Sequence, residues 1–380
     1  MKERFAAALA VLIVCAAAQG PLAQDKTPAA PAKKSPYLKL SEPWPEPAVL
    51  LARSAEAEQR PLFEKREPLA FTLTADFKAI NKDRRPESNA RYPGVLSVVD
   101  DKGREQTIKV RLSPRGHFRR MVRNCAFVPL RVEFSGDDAA GTVFEGQSSL
   151  KLGTHCRDDR AYEQYTLREY LAYPLYNVIT PRSFRARLAR GTYIDEKSGK
   201  LITTRNAVFI EHENDVARRM GGRIVELPRT EFKDFHAETL NTMMLFEYMI
   251  GNTDFSLYAN HNVRFVQDPS RTLYPVPYDF DLSGLVHAPY AIPDRKMGIR
   301  SVVERLYRGP CRGIDDMEAA AAQFRLKKSE ITALIDGTKD MDAGMRAEMK
   351  SYLEEFFRAI DKPASIKSRL IDGCKAAPTM

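Results

Sequence analysis

The sequence lacks the common signatures of enzyme chemistry. It has no Walker-type phosphate loop, no dinucleotide fingerprint, no Gly-x-Ser-x-Gly elbow and no His-Glu-x-x-His. These absences set aside the commonest hydrolase and dehydrogenase sites. Cysteine is scarce, with five in 380 residues and no Cys-x-x-Cys pair, which argues against a structural zinc site. No internal repeat is present, and no segment after the leader is long and apolar enough to cross a membrane.

What is present begins with an export signal. Met1-Lys2-Glu3-Arg4 is a short basic start, Phe5 to Ala18 is apolar, and Ala16-Ala17-Ala18 and Pro21-Leu22-Ala23 offer small-residue cleavage sites. This pattern predicts a signal peptide over residues 1–24 and a periplasmic or secreted mature protein. Cys15 lies in that leader, leaving Cys125, Cys156, Cys311 and Cys374. An even number in an exported chain predicts disulfides. Of the three pairings, Cys125–Cys156, both near a common sheet, and Cys311–Cys374 are favoured. The net charge is +9, and removing Lys2, Glu3 and Arg4 leaves +8. That admits anionic ligands such as nucleotides, anionic lipid or polysaccharide without indicating nucleic acid.

Residues 25–60 read as a linker rich in Pro and Ala, ending its densest part at Pro43-Trp44-Pro45-Glu46-Pro47. Strand signals follow at 71–77, 95–99, 106–112, 127–134 and 148–152, with Asp100-Asp101-Lys102-Gly103 as a hairpin turn. They predict an antiparallel meander. Leu167, Tyr170, Leu171 and Leu175 mark a helix over 162–176, followed by strands near 184–193 and 206–211. Residues 61–230 therefore read as a β-rich lobe with one helix, and 231–380 as a mainly helical lobe. Leu240 to Ile250 is apolar nearly all round, which predicts a buried central helix. Met345, Met349, Leu353, Phe356 and Ile360 form one packing stripe on the last long helix.

The chemistry is concentrated after the central helix. Gly251-Asn252-Thr253-Asp254 is followed by His261-Asn262 and then by Pro277-Tyr278-Asp279-Phe280-Asp281. A single loop Asp or Asn ordinarily caps a helix or makes a turn. Here Asp254 follows a buried helix, and a predicted hairpin between Asn262 and Asp279 brings an amide beside a carboxylate. Asp281 shares a face with Asp279 in an extended segment. Magnesium takes one or two carboxylates plus phosphate oxygens and water. Phosphoryl transfer needs a carboxylate to orient the acceptor, oxygen ligands for the metal and a cation on the phosphates. Lys151, on a strand just before the long helix, supplies the cation, and Glu169 on that helix is its expected partner. Arg115 beside Gly116 is a rival phosphate group, with Arg119, Arg120 and Arg123 nearby.

Gly-Asn-Thr-Asp, His-Asn and Pro-Tyr-Asp-Phe-Asp-Leu-Ser-Gly resemble the signature of the spore coat protein H kinase-like family and, more distantly, the HipA-like toxin kinases. The resemblance covers roughly residues 70–310. It implies a two-lobed α+β fold of the protein-kinase type, with an antiparallel sheet and one helix in the first lobe. It also implies an atypical kinase that uses ATP with Mg2+ or Mn2+ and a protein acceptor. Asp254 would be the catalytic Asp, and Asn262 and Asp279 the metal ligands. One departure stands out: kinase loops place the Asn about five residues after the Asp, whereas Asn260 is six and Asn262 eight residues after Asp254. Two other readings of the same residues stay open: an inactive binding or structural envelope protein, and a metal-dependent binder of an anionic polymer.

Overall fold

A computed structural model of the chain describes residues 38–100 and 102–374. The predicted signal peptide, the linker as far as residue 37, and Asp101 of the hairpin turn lie outside the described residues. The helices α1 (Leu38–Ser41), α2 (Pro47–Glu58) and α3 (Phe77–Lys82) accompany the first strand, β1 (Leu69–Ala75). Next come β2 (Tyr92–Val99), β3 (Glu105–Pro114), β4 (Leu130–Phe134), α4 (Gly136–Ala139), β5 (Ser149–Gly153), α5 (Arg160–Ile179), β6 (Ala186–Asp195) and β7 (Leu201–Ile210). The remainder is α6 (Glu213–Arg219), β8 (Arg223–Val225), α7 (Ala237–Ile250), β9 (Val263–Gln267), β10 (Leu273–Pro277), α8 (Ile314–Asp336), α9 (Ala343–Ala359) and α10 (Pro363–Ile366).

The seven strands β1 to β7 form a closed barrel in the order β1-β2-β3-β4-β5-β7-β6. Neighbours are antiparallel except at the seam, where β1 runs parallel to β6 with Leu69 opposite Ala189 and Ala75 opposite Asp195. This corrects the expected fold. The sheet is neither open nor wholly antiparallel, and the two-lobed kinase architecture is not what the chain adopts. Closure is favoured because it pairs the two edges that an open meander would leave bare. It depends on Gly191 in β6, where a Cβ would lie 2.5 Å from the Phe71 ring.

Alternation along the strands fills the barrel. Phe71, Leu73, Leu96, Ile108, Leu112, Val132, Leu150, Leu152, Tyr193 and Phe209 belong to one buried cluster, with Phe209 packed between the rings of Phe71 and Phe144 at 5.2 and 5.3 Å. The opposite face of β7, carrying Val208 and Ile210, joins a second cluster that holds α5, α7, α8 and α9. There α7 is buried from Thr239 to Ile250, as its all-round apolar surface requires. Met349, Leu353, Phe356 and Ile360 are buried as the packing stripe of the last long helix. β8, β9 and β10 form a small antiparallel sheet, so pairing of β8 with β9 bridges the boundary placed at residue 230.

The expected linker is partly structured. Residues 47–58 form α2 with Pro47 at its start. Proline is compatible with the first helical turn, where its missing N–H has no intrahelical role. Cys125 is bonded to Cys156 and Cys311 to Cys374. The first bridge joins the loop before β4 to the loop after β5; the second ties the segment before α8 to the C-terminal turn. Among the described residues no helix is long and apolar enough to cross a membrane.

Candidate functional site

α7 ends on Gly251, whose φ of 64° suits glycine at a left-handed helix stop. The chain then turns through Asn252, whose side-chain oxygen accepts from the Asp254 N–H at 3.0 Å. Arg308, itself buried, braces the loop, donating to the carbonyls of Thr253 at 2.7 Å and Phe255 at 2.6 Å. Next comes a miniature hairpin in which Ser256 and His261 exchange backbone hydrogen bonds at 3.0 and 2.9 Å. It loops residues 257–260 away from the main path. The eight-residue spacing is thereby absorbed, and Asn262 lands beside Asp254. The Asn262 amide donates to the Asp254 carbonyl at 2.7 Å and to its carboxylate at 2.9 Å. Asn260, the alternative at six residues, lies inside the excursion.

β9 and β10 bring the second acidic segment back. Tyr278 N–H donates to the Asn262 carbonyl at 3.0 Å, which sets Asp279 next to Asn262. Asn262 and Asp279 both have positive φ, 53° and 66°. This region is unfavourable for most L residues and tolerable for Asn and Asp. The Asp279 N–H is held by the Tyr173 hydroxyl of α5 at 3.2 Å. Asp281 is buried, with Tyr290 donating to its carboxylate at 3.2 Å.

A cleft of about 460 Å³ joins these loops to the barrel, and its walls include Arg115, Lys151, Asp254, Asn262, Asp279 and Asp281. Six of the seven residues singled out from sequence thus meet in one space, although they come from five separate segments. Arg115, just past β3, approaches the Asp279 carboxylate at 3.5 Å. The seventh residue, Glu169, stands behind the wall and differs from expectation. It pairs with Arg119 at 3.1 Å, and Arg119 also donates to the Thr154 carbonyl. Lys151 instead faces Glu213 at 3.6 Å and sits 3.9 Å above the Tyr278 ring. The reason lies in chain direction: α6 begins where β7 ends, beside β5, and presents Glu213 to the lysine.

Arg119 and Arg120 are buried. Arg120 is directed to Asp83 at 3.7 Å, away from the cleft. Arg131, Arg264 and Glu213 were not singled out from sequence. Arg131 alternates with Leu130 and Val132 in β4, so strand periodicity placed it on the outer face; nothing local marked Glu213. His261 lies 3.3 Å from Asp254, and that hydrogen bond raises its pKa. His155 is a buried ring packed 4.4 Å from Phe127.

The electrostatics of the cleft are strained in both signs. Burial, then the neighbouring Arg115, lowers the Lys151 ammonium to about 7. Burial alone would raise Glu213, but Lys151 and Arg264 outweigh it and hold that carboxyl at about 2. Asp281 is pushed well above the carboxylate range by burial and by repulsion from Asp279 and Glu169, against the pull of Arg119. Glu169 is raised by burial, with Arg119 opposing. Behind the loop, burial lifts Glu247 to about 8.

Among the described residues no three His, Cys, Asp or Glu side chains gather as a metal cage. Two carboxylates and an amide oxygen nevertheless fit a hard divalent cation that arrives with phosphate oxygens and water. Asp279 and Asp281 repel one another where a cation between them would attract both. Compared with known families and with curated proteins, the chain matches neither.

Proposed function

We propose that this chain transfers a phosphoryl or nucleotidyl group from a nucleotide–metal complex, with ATP as donor and Mg2+ or Mn2+ as the metal, to a protein acceptor. The supporting observation is the convergence in one cleft of Asp254, Asn262, Asp279 and Asp281 with Lys151 and Arg115. The resemblance of the same motifs to the spore coat protein H kinase-like family points to the same chemistry. The reading does not depend on a two-lobed kinase architecture, since chemistry resides in the site.

Asn262, Asp279 and Asp281 would hold the metal, which when bound neutralises charge on the phosphates. Lys151 and Arg115 would hold the phosphates themselves. Asp254 orients the acceptor hydroxyl, and its amide clamp from Asn262 keeps the carboxylate facing the cleft. In phosphoryl transfer the acceptor oxygen bonds to the terminal phosphorus as the bond to the nucleoside diphosphate breaks. The hydroxyl proton passes to Asp254. Glu169 acts at one remove, through Arg119. The two disulfides support an oxidising compartment, in keeping with an exported, periplasmic or secreted location.

The test is thermal unfolding of the oxidised protein with ATP plus Mg2+ or Mn2+, for the wild type and Asp279→Ala. A ligand at 100 times its Kd stabilises by about 2.7 kcal/mol. The expected result is a clear rise in Tm with nucleotide and metal together, a small one with metal alone, and none in Asp279→Ala. No shift at millimolar nucleotide overturns the proposal. The cleft also carries five cations, Arg115, Arg119, Arg131, Lys151 and Arg264, against three carboxylates. A response to an anionic polysaccharide without any to nucleotide would favour the binder of an anionic polymer.

A further inference from the structure

A second cleft, of about 570 Å³, shares no lining residue with the first. It lies where the segment before β1, the C-terminal half of α5, the start of β6 and the β9–β10 turn come together. Its lining holds five cations, Lys65, Arg66, Arg182, Arg185 and Arg219, against two carboxylates, Glu58 and Asp268.

Most of these charges are internally satisfied. Arg219 bonds Glu211 behind the wall at 2.7 Å and the Ser183 carbonyl at 2.6 Å. Arg185 is held by the Glu58 carboxylate and carbonyl. Asp268 accepts from Ser270, from the Thr272 N–H and from the Tyr274 hydroxyl. Two guanidiniums are left over. Arg66 is exposed at the rim, and neither it nor Arg182 has a carboxylate within ion-pair distance among the described residues.

Arg182 is also held in place. Asp268 anchors the Tyr274 hydroxyl at 3.0 Å, the Arg182 guanidinium lies 4.8 Å over the Tyr274 ring, and one of its nitrogens donates to Thr239 at 3.4 Å. A guanidinium oriented from beneath, with no carboxylate partner, presents a fork matched to the two oxygens of a phosphate or carboxylate. The volume falls in the range of small-molecule sites. We infer that this cleft is a second binding site, for a small oxyanion held by Arg182 and Arg66, independent of the cleft that carries Asp254.

Isothermal titration of the full oxidised chain tests this, with inorganic pyrophosphate and citrate as the two probes and no nucleotide present. Wild type, Arg182→Gln, Arg66→Gln and Arg115→Gln are compared. At least one probe is expected to bind the wild type, and its affinity to fall at least tenfold in Arg182→Gln and severalfold in Arg66→Gln. Arg115→Gln, in the other cleft, should leave this binding step unchanged; pyrophosphate held in the first cleft by Lys151 and Arg115 would be a separate step, and only that step should weaken. Preference for pyrophosphate assigns the site to phosphate esters, and preference for citrate to carboxylates. Arg66 is exposed and contacts no carboxylate, so its variant reports on binding even if Arg182→Gln is destabilised. The inference is overturned if neither probe binds at millimolar concentration, or if both glutamine variants of this cleft bind as wild type does. It is equally overturned if only Arg115→Gln loses binding, which would place the anion in the first cleft.

Discussion

The barrel interior and the first cleft are made from alternate residues of the same strands. In β5, Leu150 and Leu152 belong to the barrel core, and Lys151 between them lines the cleft. In β4, Leu130 and Val132 go inward, and Arg131 goes to the cleft. The inner face consists of apolar side chains in close contact. The cleft over the outer face sets a buried lysine against arginines, and on its far wall, after β10, two aspartates stand against each other. A period-two strand thus puts stability on one face and chemical tension on the other. The two faces should therefore respond oppositely to substitution: truncation inside should destabilise the protein, and neutralisation outside should not.

The largest effect is expected inside. Leu152 is fully buried in the barrel core, and Leu152→Ala removes apolar contact and leaves a cavity, at a cost of about 2–5 kcal/mol. Urea unfolding should show a lowered midpoint with an unchanged slope. A loss well under 1 kcal/mol would mean that the barrel is loosely packed, and the contrast between the faces would collapse.

A mid-sized effect is expected one residue away. Lys151 is depressed to about 7 from 10.5, so it carries its charge below pH 7 and loses it above. The folded state then binds fewer protons than the unfolded one between those values, and this residue's unfavourable contribution eases as pH rises through that window. Under the proposed function, its hold on phosphate would run the other way. If binding needs the ammonium, affinity for the nucleotide–metal complex should fall about tenfold between pH 6 and 8, following the protonated fraction. Lys151→Arg keeps its proton throughout and should abolish most of that fall. The nucleotide's own titration is common to both proteins, so the difference between their pH profiles isolates Lys151. Parallel profiles would remove the lysine from phosphate binding.

What could be read in advance was what depends on nearby residues. The buried α7, the loop after it and the β9–β10 hairpin lie within a short stretch, so Asp254, Asn262 and Asp279 were legible as neighbours. Both disulfide pairings were also anticipated. The spacing anomaly was legible but its resolution was not, because the Ser256–His261 bridge is a backbone feature with no marker residue. Barrel closure joins β1 to β6 through Leu69 and Ala189, 120 positions apart. Such pairing leaves no local trace, and the strand signals suit an open meander equally well. The Lys151–Glu213 contact has no local signal, because nothing in the sequence marks α6, whereas Glu169 on the next helix is the nearer carboxylate in chain order. Pro47 suits a linker and a helix start equally, and in α2 it takes the second role.

The smallest effect tests whether the cleft that the outer face helps to build is under tension. Asp281 has its pKa raised well above 3.8 by burial and by Asp279 and Glu169. Between 3.8 and its folded value the native state holds more protons on this residue than the unfolded state does. Its contribution to stability therefore declines as pH rises through that window. At neutral pH the residue destabilises the protein. Asp281→Asn keeps the shape and an oxygen for the Tyr290 hydroxyl, and it removes the charge. A gain on the order of 1 kcal/mol is expected at pH 7, the ordinary scale of a single substitution. The gain should shrink as pH is lowered toward the ordinary carboxylate range, because the unfolded carboxyl then takes up a proton as well. Nucleotide–metal stabilisation should weaken in the same variant, since one oxygen ligand has lost its charge. A variant that is more stable yet less responsive would show that the carboxylate is retained against its own stability for the sake of a cation. A loss of stability at pH 7 would show instead that Arg119 and Tyr290 already balance Asp281, and the two faces of the strands would then differ in polarity alone.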